Sequence, residues 1–329
     1  MSDARYNPDG LVLSGDYRHT MQDFVLPYIA ARRTEITLTG DGGRPLYCCK
    51  YDAGAAAAGT VLIVHGFTEN ADKFAELIHS LLRNGYSVAA YDQRGHGRSW
   101  RDPMLGDVSL THVDDFMEYV RDMEIVVSQV LSAMPKPHLL FAHSMGGAVS
   151  ALYLEAHPAA FARVALCAPM ILANFHMPPA AAGLMCAAAK RLGKSKKRIF
   201  ASKPYAGPED FATSAATGRE RFDWYDAVKA ANPAFHNNGP TYGWTGQAVW
   251  ANRQILAPGA VEKIDAPVRL FTAELDGSVM PDAQQAFVSR LKNGERILVK
   301  GAKHEIYRST DEVLFPWWHG ILGFYRGES

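Results

Sequence analysis

The chain predicts an α/β protein, a doubly wound and mostly parallel sheet with a helical cap inserted into it. Three observations lead there. Short apolar runs of the buried-strand kind recur along the chain, helix-like stretches separate them, and one long segment breaks the rhythm. With 329 residues, 48% of them apolar and 21% charged, the chain is long enough to bury a sizeable core.

Taken in order, the segment Arg33 to Asp52 reads as an antiparallel hairpin at the sheet edge, with Gly42 and Gly43 in its turn. "TVLIVHG" (Thr60 to Gly66), "YSVAAYD" (Tyr86 to Asp92) and "HLLFAHS" (His138 to Ser144) read as buried parallel strands. Between them, helices are expected over Asn70 to Asn84, closed by Gly85, and over Val113 to Ala133, ended by Pro135. Further strands are expected at Arg163 to Pro169, Val268 to Asp276 and Arg296 to Glu305, and a closing amphipathic helix at Glu312 to Tyr325. Strand alternating with helix implies crossover connections and ligand binding beyond the carboxyl ends of the strands.

From about Ile171 to Pro258 no clear buried strand is present; prolines, an Ala-rich helix near Ala180 to Leu192 and aromatic-rich stretches take its place. Roughly ninety residues is far more than a connecting loop, whose median is about 4–6. The expected core is therefore residues 1–170 and 259–329, and the expected cap 171–258.

The 34 basic and 34 acidic residues cancel, which argues against a nucleic-acid binder. Cys48, Cys49, Cys167 and Cys186 show no CxxC spacing, so reduced thiols fit better than disulfides or zinc. No window holds the ~18 consecutive apolar residues of a membrane span, and no signal peptide is visible. A cytoplasmic protein is expected, with contact at the inner face of a membrane left open by the basic run "KRLGKSKKR" (Lys190 to Arg198). A solvated helix end is the better explanation of that run. No motif speaks to oligomeric state.

The stretch "AHSMGG" is where chemistry enters. An apolar strand stops at Ser144 and a small-residue helix begins, the arrangement that presents a serine on a strained strand-to-helix turn. Side chains two residues either side of such a turn must be small, and they are Ala142 and Gly146. A serine is a poor nucleophile unless a base, held by a third group, takes its proton. Downstream, the acids at a strand end are Glu274 and Asp276, and the only histidines are His304 and His319. Asp276, just past its strand in "LDGSV", and His304, in the loop of "GAKHE", complete a Ser, acid, His order. Glu274 reads as structural, and His319 lies within the closing helix.

Acyl transfer also needs donors for the developing oxyanion. The N–H of Met145 and that of Phe67, in "HGFTEN", are the expected pair. His65 reads as a structural loop histidine. In "YDQRGHGRSW" the glycines match no phosphate loop; Asp92 and Arg94 read as loop anchors, and His96 as neither ligand nor base. No HExxH or paired-carboxylate cluster exists, so neither metal nor cofactor is expected.

"VHGFTEN", "DQRGHGRS", "HSMGG", "LDGSV" and "GAKHE", in this order, resemble the monoacylglycerol lipase and lysophospholipase L2 branch of the α/β-hydrolase superfamily, across about residues 35 to 325. Within the branch, "TYGWTGQAVWANRQI" is similar to the cap segment of bacterial lysophospholipase L2-like proteins. The resemblance implies hydrolysis of a carboxylic ester of a single-acyl glycerolipid, with Ser144, Asp276 and His304 as triad and Phe67 and Met145 as oxyanion donors. Trp224, Trp244 and Trp250, with Leu184, Met185 and Phe222, are candidates to line an acyl pocket, though each also suits the cap's own core. The same residues leave open a general carboxylesterase, an amide or peptide hydrolase, and a non-catalytic binding module, which would be expected to lack a triad member.

Overall fold

The structure, a computed structural model of the chain, describes residues 3–200 and 202–328. Met1, Ser2, Ala201 and Ser329, which the expected core and cap ranges include, lie outside the described residues.

Eight strands form one sheet. They are β1 (Arg33–Thr39), β2 (Pro45–Tyr51), β3 (Gly59–Val64), β4 (Tyr86–Tyr91), β5 (His138–His143), β6 (Arg163–Cys167), β7 (Val268–Ala273) and β8 (Gly294–Val299). Their order is β1-β2-β4-β3-β5-β6-β7-β8. β2 runs antiparallel to β1 and β4, and the other pairings are parallel. The hairpin turn at Asp41–Gly43 needs left-handed backbone, and Gly42 and Gly43 supply it with φ of 70° and 74°. β3 and β4 are buried along their whole length, as central strands covered on both faces should be. Two-residue periodicity sends the adjacent Cys48 and Cys49 into the cores on opposite faces. All four cysteines are buried and free.

The helices divide between those faces. α1 (Ala75–Arg83) and the closing α8 (Asp311–Arg326) pack on one side. α2 (Met117–Gln129) and α3 (Met145–Ala156) pack on the other. α1 follows a short turn capped by Asn70, whose side chain accepts from the Lys73 N–H. α2 starts four residues later than the pattern suggests, because the Asp115 side chain accepts from the Met117 N–H and sets the first turn there. The last strand ends at Val299 rather than Glu305, since Gly301 turns the chain at φ 71° to begin the loop that carries His304. α8 continues through Pro316 and buries Trp318, whose indole N–H donates to Ser80.

Between β6 and β7 lie α4 (Pro179–Arg191), α5 (Arg219–Ala231) and α6 (Tyr242–Ile255); α7 (Pro281–Val288) follows β7. α6 seats Ala248, Ala251 and Ile255 in the core that α3 also fills. α5 faces the opposite core with Trp224 and Tyr225. An N-terminal element escaped the sequence reading. Residues 17–30 form a helix with a π-type turn at Met21–Val25, and Leu11, Val12, Tyr17, Met21 and Val25 are all buried.

Arg221 ties these parts together. It is 1% exposed and donates to both oxygens of Glu76 on α1 at 3.0 Å, to Asp311 on α8 at 2.7 Å and to the Val12 carbonyl at 2.8 Å. Removing one side of a buried pair strands the other, at a cost of about 3–5 kcal/mol. Arg221→Met is therefore expected to lower the unfolding free energy by that amount, as read by urea denaturation. A loss under about 1 kcal/mol would show that water takes over the guanidinium's role.

Candidate active site

Ser144 sits where β5 ends and α3 begins, with φ 49° and ψ −116°. That is a left-handed conformation which a non-glycine residue adopts only when its surroundings force it. Here they do. The Ser144 N–H donates to the Cys167 carbonyl, and its own carbonyl accepts from the N–H groups of Gly147, Ala148 and Met170. The turn also runs hard against β3: a Cβ at Gly146 would stand 2.2 Å from the Val64 carbonyl oxygen, so no larger residue fits. Ala142, the other small position, is fully buried and its methyl is accommodated.

The structure brings Ser144, Asp276 and His304 together from three separate segments. His304 Nε2 lies 2.8 Å from the Ser144 hydroxyl oxygen, and its Nδ1 lies 2.8 Å from Asp276 Oδ2. The carboxylate neighbour places the ring proton on Nδ1, leaving Nε2 to accept from the hydroxyl. The other carboxyl oxygen of Asp276 accepts from the N–H groups of Ser278 and Val279. Burial pushes the Asp276 pKa up, but the His304 hydrogen bond and charge outweigh it and hold the carboxyl below its ordinary range. Ser144 and His304 are themselves only 7% and 9% exposed.

Phe67 lies in the loop after β3, and Met145 is the first residue of α3. Neither backbone N–H has an acceptor among the described residues. The peptide that carries the Phe67 N–H is anchored by its carbonyl, because His65 Nδ1 donates to the Gly66 oxygen at 2.7 Å. The other nitrogen of His65 accepts from the Gln93 N–H at 2.8 Å, so the ring is neutral, and burial pushes its pKa down to about 4.

Of the three tryptophans, one reaches this region. The Trp244 ring, from α6, packs on Phe67 with centroids 4.1 Å apart. Trp224 must be corrected as a candidate for the acyl pocket. Its helix turns it toward the opposite face of the sheet, where it meets Tyr17 edge-on and lines a cavity with Leu26, Ile29 and Val228 that contains no triad residue. Trp250 is 37% exposed on α6, and Leu184 is 73% exposed on α4, so neither is enclosed with the triad. Phe222 is buried beside Phe211 and Arg308.

The remaining singled-out residues serve the scaffold. Asp92 accepts from the N–H groups of Ala71 and Arg98. Arg94 grips both oxygens of Asp122 at 2.6 and 2.8 Å. Glu274 accepts from the Gly301 N–H, and His319 meets Asp9 on the outer side of α8. No cluster of three or more His, Cys, Asp or Glu able to hold a metal ion occurs among the described residues.

The family described as "Serine aminopeptidase, S33" matches residues 55–311 of this sequence. The chain belongs to that family. Among similar proteins, lysophospholipase L2 of Escherichia coli (strain K12) is 33% identical over 277 residues, covering 81% of this chain and 80% of its own. The monoglyceride lipase of Homo sapiens is 31% identical over 292 residues, covering 86% and 88%. A soluble variant of the monoglyceride lipase from Saccharomyces cerevisiae, solved with a substrate analog, superposes with a TM-score of 0.69 at 19% identity, over 90% of this chain and 97% of that one. This S33 chain is thus an α/β-hydrolase of the monoacylglycerol lipase and lysophospholipase L2 branch.

Sequence reasoning did not single out Glu69 and His143, although both are buried beside Ser144 and His304. Both stand inside motifs already quoted, "HGFTEN" and "AHSMGG", and a buried charge pair leaves no trace in periodicity.

The strained turn has a measurable cost of about 1–3 kcal/mol. Ser144→Gly should unfold at higher denaturant than Ser144→Ala by about 1 kcal/mol, because glycine alone reaches φ 49° without a Cβ penalty. Equal midpoints would mean the turn stores no strain.

Proposed function

We propose that this chain is a serine hydrolase that cleaves the carboxylic ester of a single-acyl glycerolipid through an acyl-enzyme. The observation that carries the reading is the unbroken hydrogen-bonded chain Asp276–His304–Ser144, with the backbone N–H groups of Phe67 and Met145 free of any acceptor among the described residues. In this reading His304 Nε2 takes the hydroxyl proton as the Ser144 oxygen attacks the ester carbonyl carbon. The Phe67 and Met145 N–H groups meet the oxygen as it turns anionic, each contributing about 2.7–4 kcal/mol of transition-state stabilisation. His304 returns the proton to the departing glycerol oxygen, and water then releases the acyl group by the same steps. Residues 171–258 act as the cap, with Trp244 closing over the oxyanion loop.

A peptidase that selects a free amino terminus needs an unpaired acid near its serine. The buried acids here are engaged: Asp276 with His304, Glu69 with Lys73 and His143, and Glu305 with Lys73 and Arg308. That favours the ester. The relatives named lysophospholipase and monoglyceride lipase favour a single-acyl glycerolipid.

A fluorophosphonate probe should label wild type at Ser144, and Ser144→Ala or His304→Ala should lower kcat by on the order of 10⁶. Monoacylglycerol and lysophosphatidylcholine should be cleaved in a panel where aminoacyl p-nitroanilides are not. Turnover of the anilides alone would replace the ester reading with the peptidase one.

The cap, together with Met104 of the core, also offers a face for a lipid surface. Leu184, Leu192, Phe200 and Met104 are 69–77% exposed around Lys190, Arg191, Lys194 and Lys197, while Lys196 and Arg198 are spent on Asp102 and Asp107. No helix among the described residues is long and apolar enough to cross a membrane. Contact at the surface, with each basic residue contributing about 1 kcal/mol, suits this composition. Sedimentation with phosphatidylglycerol vesicles should pull the protein down at low salt, and Lys190→Glu with Lys194→Glu should abolish it. Equal recovery with neutral vesicles would remove the basic residues from the account.

A further inference from the structure

We propose that Glu69 and His143 form a positioning pair that locks the oxyanion loop to the catalytic base, with His143 held as an imidazolium. The proposal rests on the serine-hydrolase reading above.

Each residue is 1–2% exposed, and each reaches two elements. One carboxylate oxygen of Glu69 accepts from the Gly66 N–H at 2.5 Å and from His143 Nδ1 at 2.9 Å. Its other oxygen accepts from Lys73 at 3.1 Å and from the Tyr307 hydroxyl. His143 is the last residue of β5, immediately before the nucleophile, and its Nε2 lies 3.2 Å from the backbone carbonyl oxygen of His304. A ring whose two nitrogens face a carboxylate and a carbonyl meets acceptors on both sides. Both nitrogens must donate, which requires two protons and a positive charge. A buried cation is tolerated only beside an anion, and Glu69 is that anion.

The electrostatics agree. Burial works against a charge on His143, but the Glu69 carboxylate more than offsets it and lifts the ring's pKa above the ordinary histidine value. Burial likewise pushes Glu69 up, and His143 and Lys73 pull it well below its usual range. The groups facing His143 are Glu69, Lys73 and His65 from the β3 side, Cys167 from β6, and His304, Glu305 and Tyr307 from the base loop.

The pair holds the reacting geometry at three points. The Gly66 N–H is fixed by Glu69 and the Gly66 carbonyl by His65, so Gly66, whose carbonyl shares a peptide with the Phe67 N–H, is held at both ends. The space is filled: a Cβ on Gly66 would stand 2.8 Å from Glu69, 2.9 Å from His143 and 3.0 Å from the Ser144 Cβ. The His143 proton on Nε2 holds the peptide of His304, and Tyr307 moors the rest of that loop to Glu69.

Glu69→Gln keeps the shape and removes the charge. With p-nitrophenyl butyrate it should lower kcat about 10–100-fold, as displacement of aligned groups does, with KM within about twofold. It should also bring a new loss of kcat as pH rises past neutrality, where an unpaired His143 gives up its proton, and Glu69→Asp should restore part of the rate. Nitrogen-15 NMR of histidine-labelled wild type should show one imidazolium, with both ring nitrogens protonated, persisting at pH 8. Near-wild-type kcat with an unchanged pH profile in a folded Glu69→Gln protein overturns the proposal. So does a wild-type spectrum with no imidazolium at pH 8, which decides the matter even if the variant fails to fold. A wild type that cleaves no ester would instead sink the hydrolase reading, leaving the NMR result to judge the pair alone.

Discussion

The backbone turn at Ser144 is the constraint to which the rest of the structure is fitted. A strand that continued one residue further would carry the hydroxyl into the sheet, and a helix that began one residue earlier would hide it. The left-handed φ of 49° lifts it clear of both. Such a conformation persists only where neighbours over-determine it. Four backbone hydrogen bonds at Ser144 and the tight contact of Gly146 with β3 do so. The start of α3 then sits directly beside the serine, where its first N–H groups have no helical partners of their own. In the proposed mechanism one turn thus sets both the nucleophile and one of the two oxyanion donors.

Charge beneath the site is organised with equal economy. Glu69, Lys73, Glu305 and Arg308 form a buried chain of carboxylates and cations between the oxyanion loop and the base loop. Replacing such groups by apolar ones often leaves stability unchanged or improves it, so stability alone is a weak reason for keeping them. Specific geometry is a better reason. A carboxylate that accepts from a backbone N–H, an imidazole, an ammonium and a phenol has little freedom to shift, and the segments it bonds share that rigidity.

The sequence was legible where periodicity or punctuation governs structure. Runs such as "TVLIVHG" announce buried parallel strands because both faces are covered, and Gly42–Gly43 announces its turn because only glycine takes those angles cheaply. Ser144, Asp276 and His304 could be picked out because a strand end or its following loop marks each one. The N-terminal helix was missed although its buried Tyr17, Met21, Val25 and Ile29 recur every four residues: a π-type turn at Met21–Val25 interrupts it, Pro27 stands within it, and the core it joins is built by the remote α1 and α8. Trp224 misled for a related reason. Its aromatic neighbours suggest a pocket, but helical phase decides which face it joins, and "RFDWYDAV" offers large residues on several sides. Glu69 and His143 carried no signal at all, since what defines them is each other, 74 positions apart.

The anchoring of Arg221 has a mechanical corollary. α5 is clamped at once to the N-terminal segment, to α1 and to α8, so it behaves as part of the layer that covers the sheet rather than as an appendage between β6 and β7. Any rearrangement that frees α5 must first break the buried contacts of one guanidinium with two carboxylates and a backbone carbonyl.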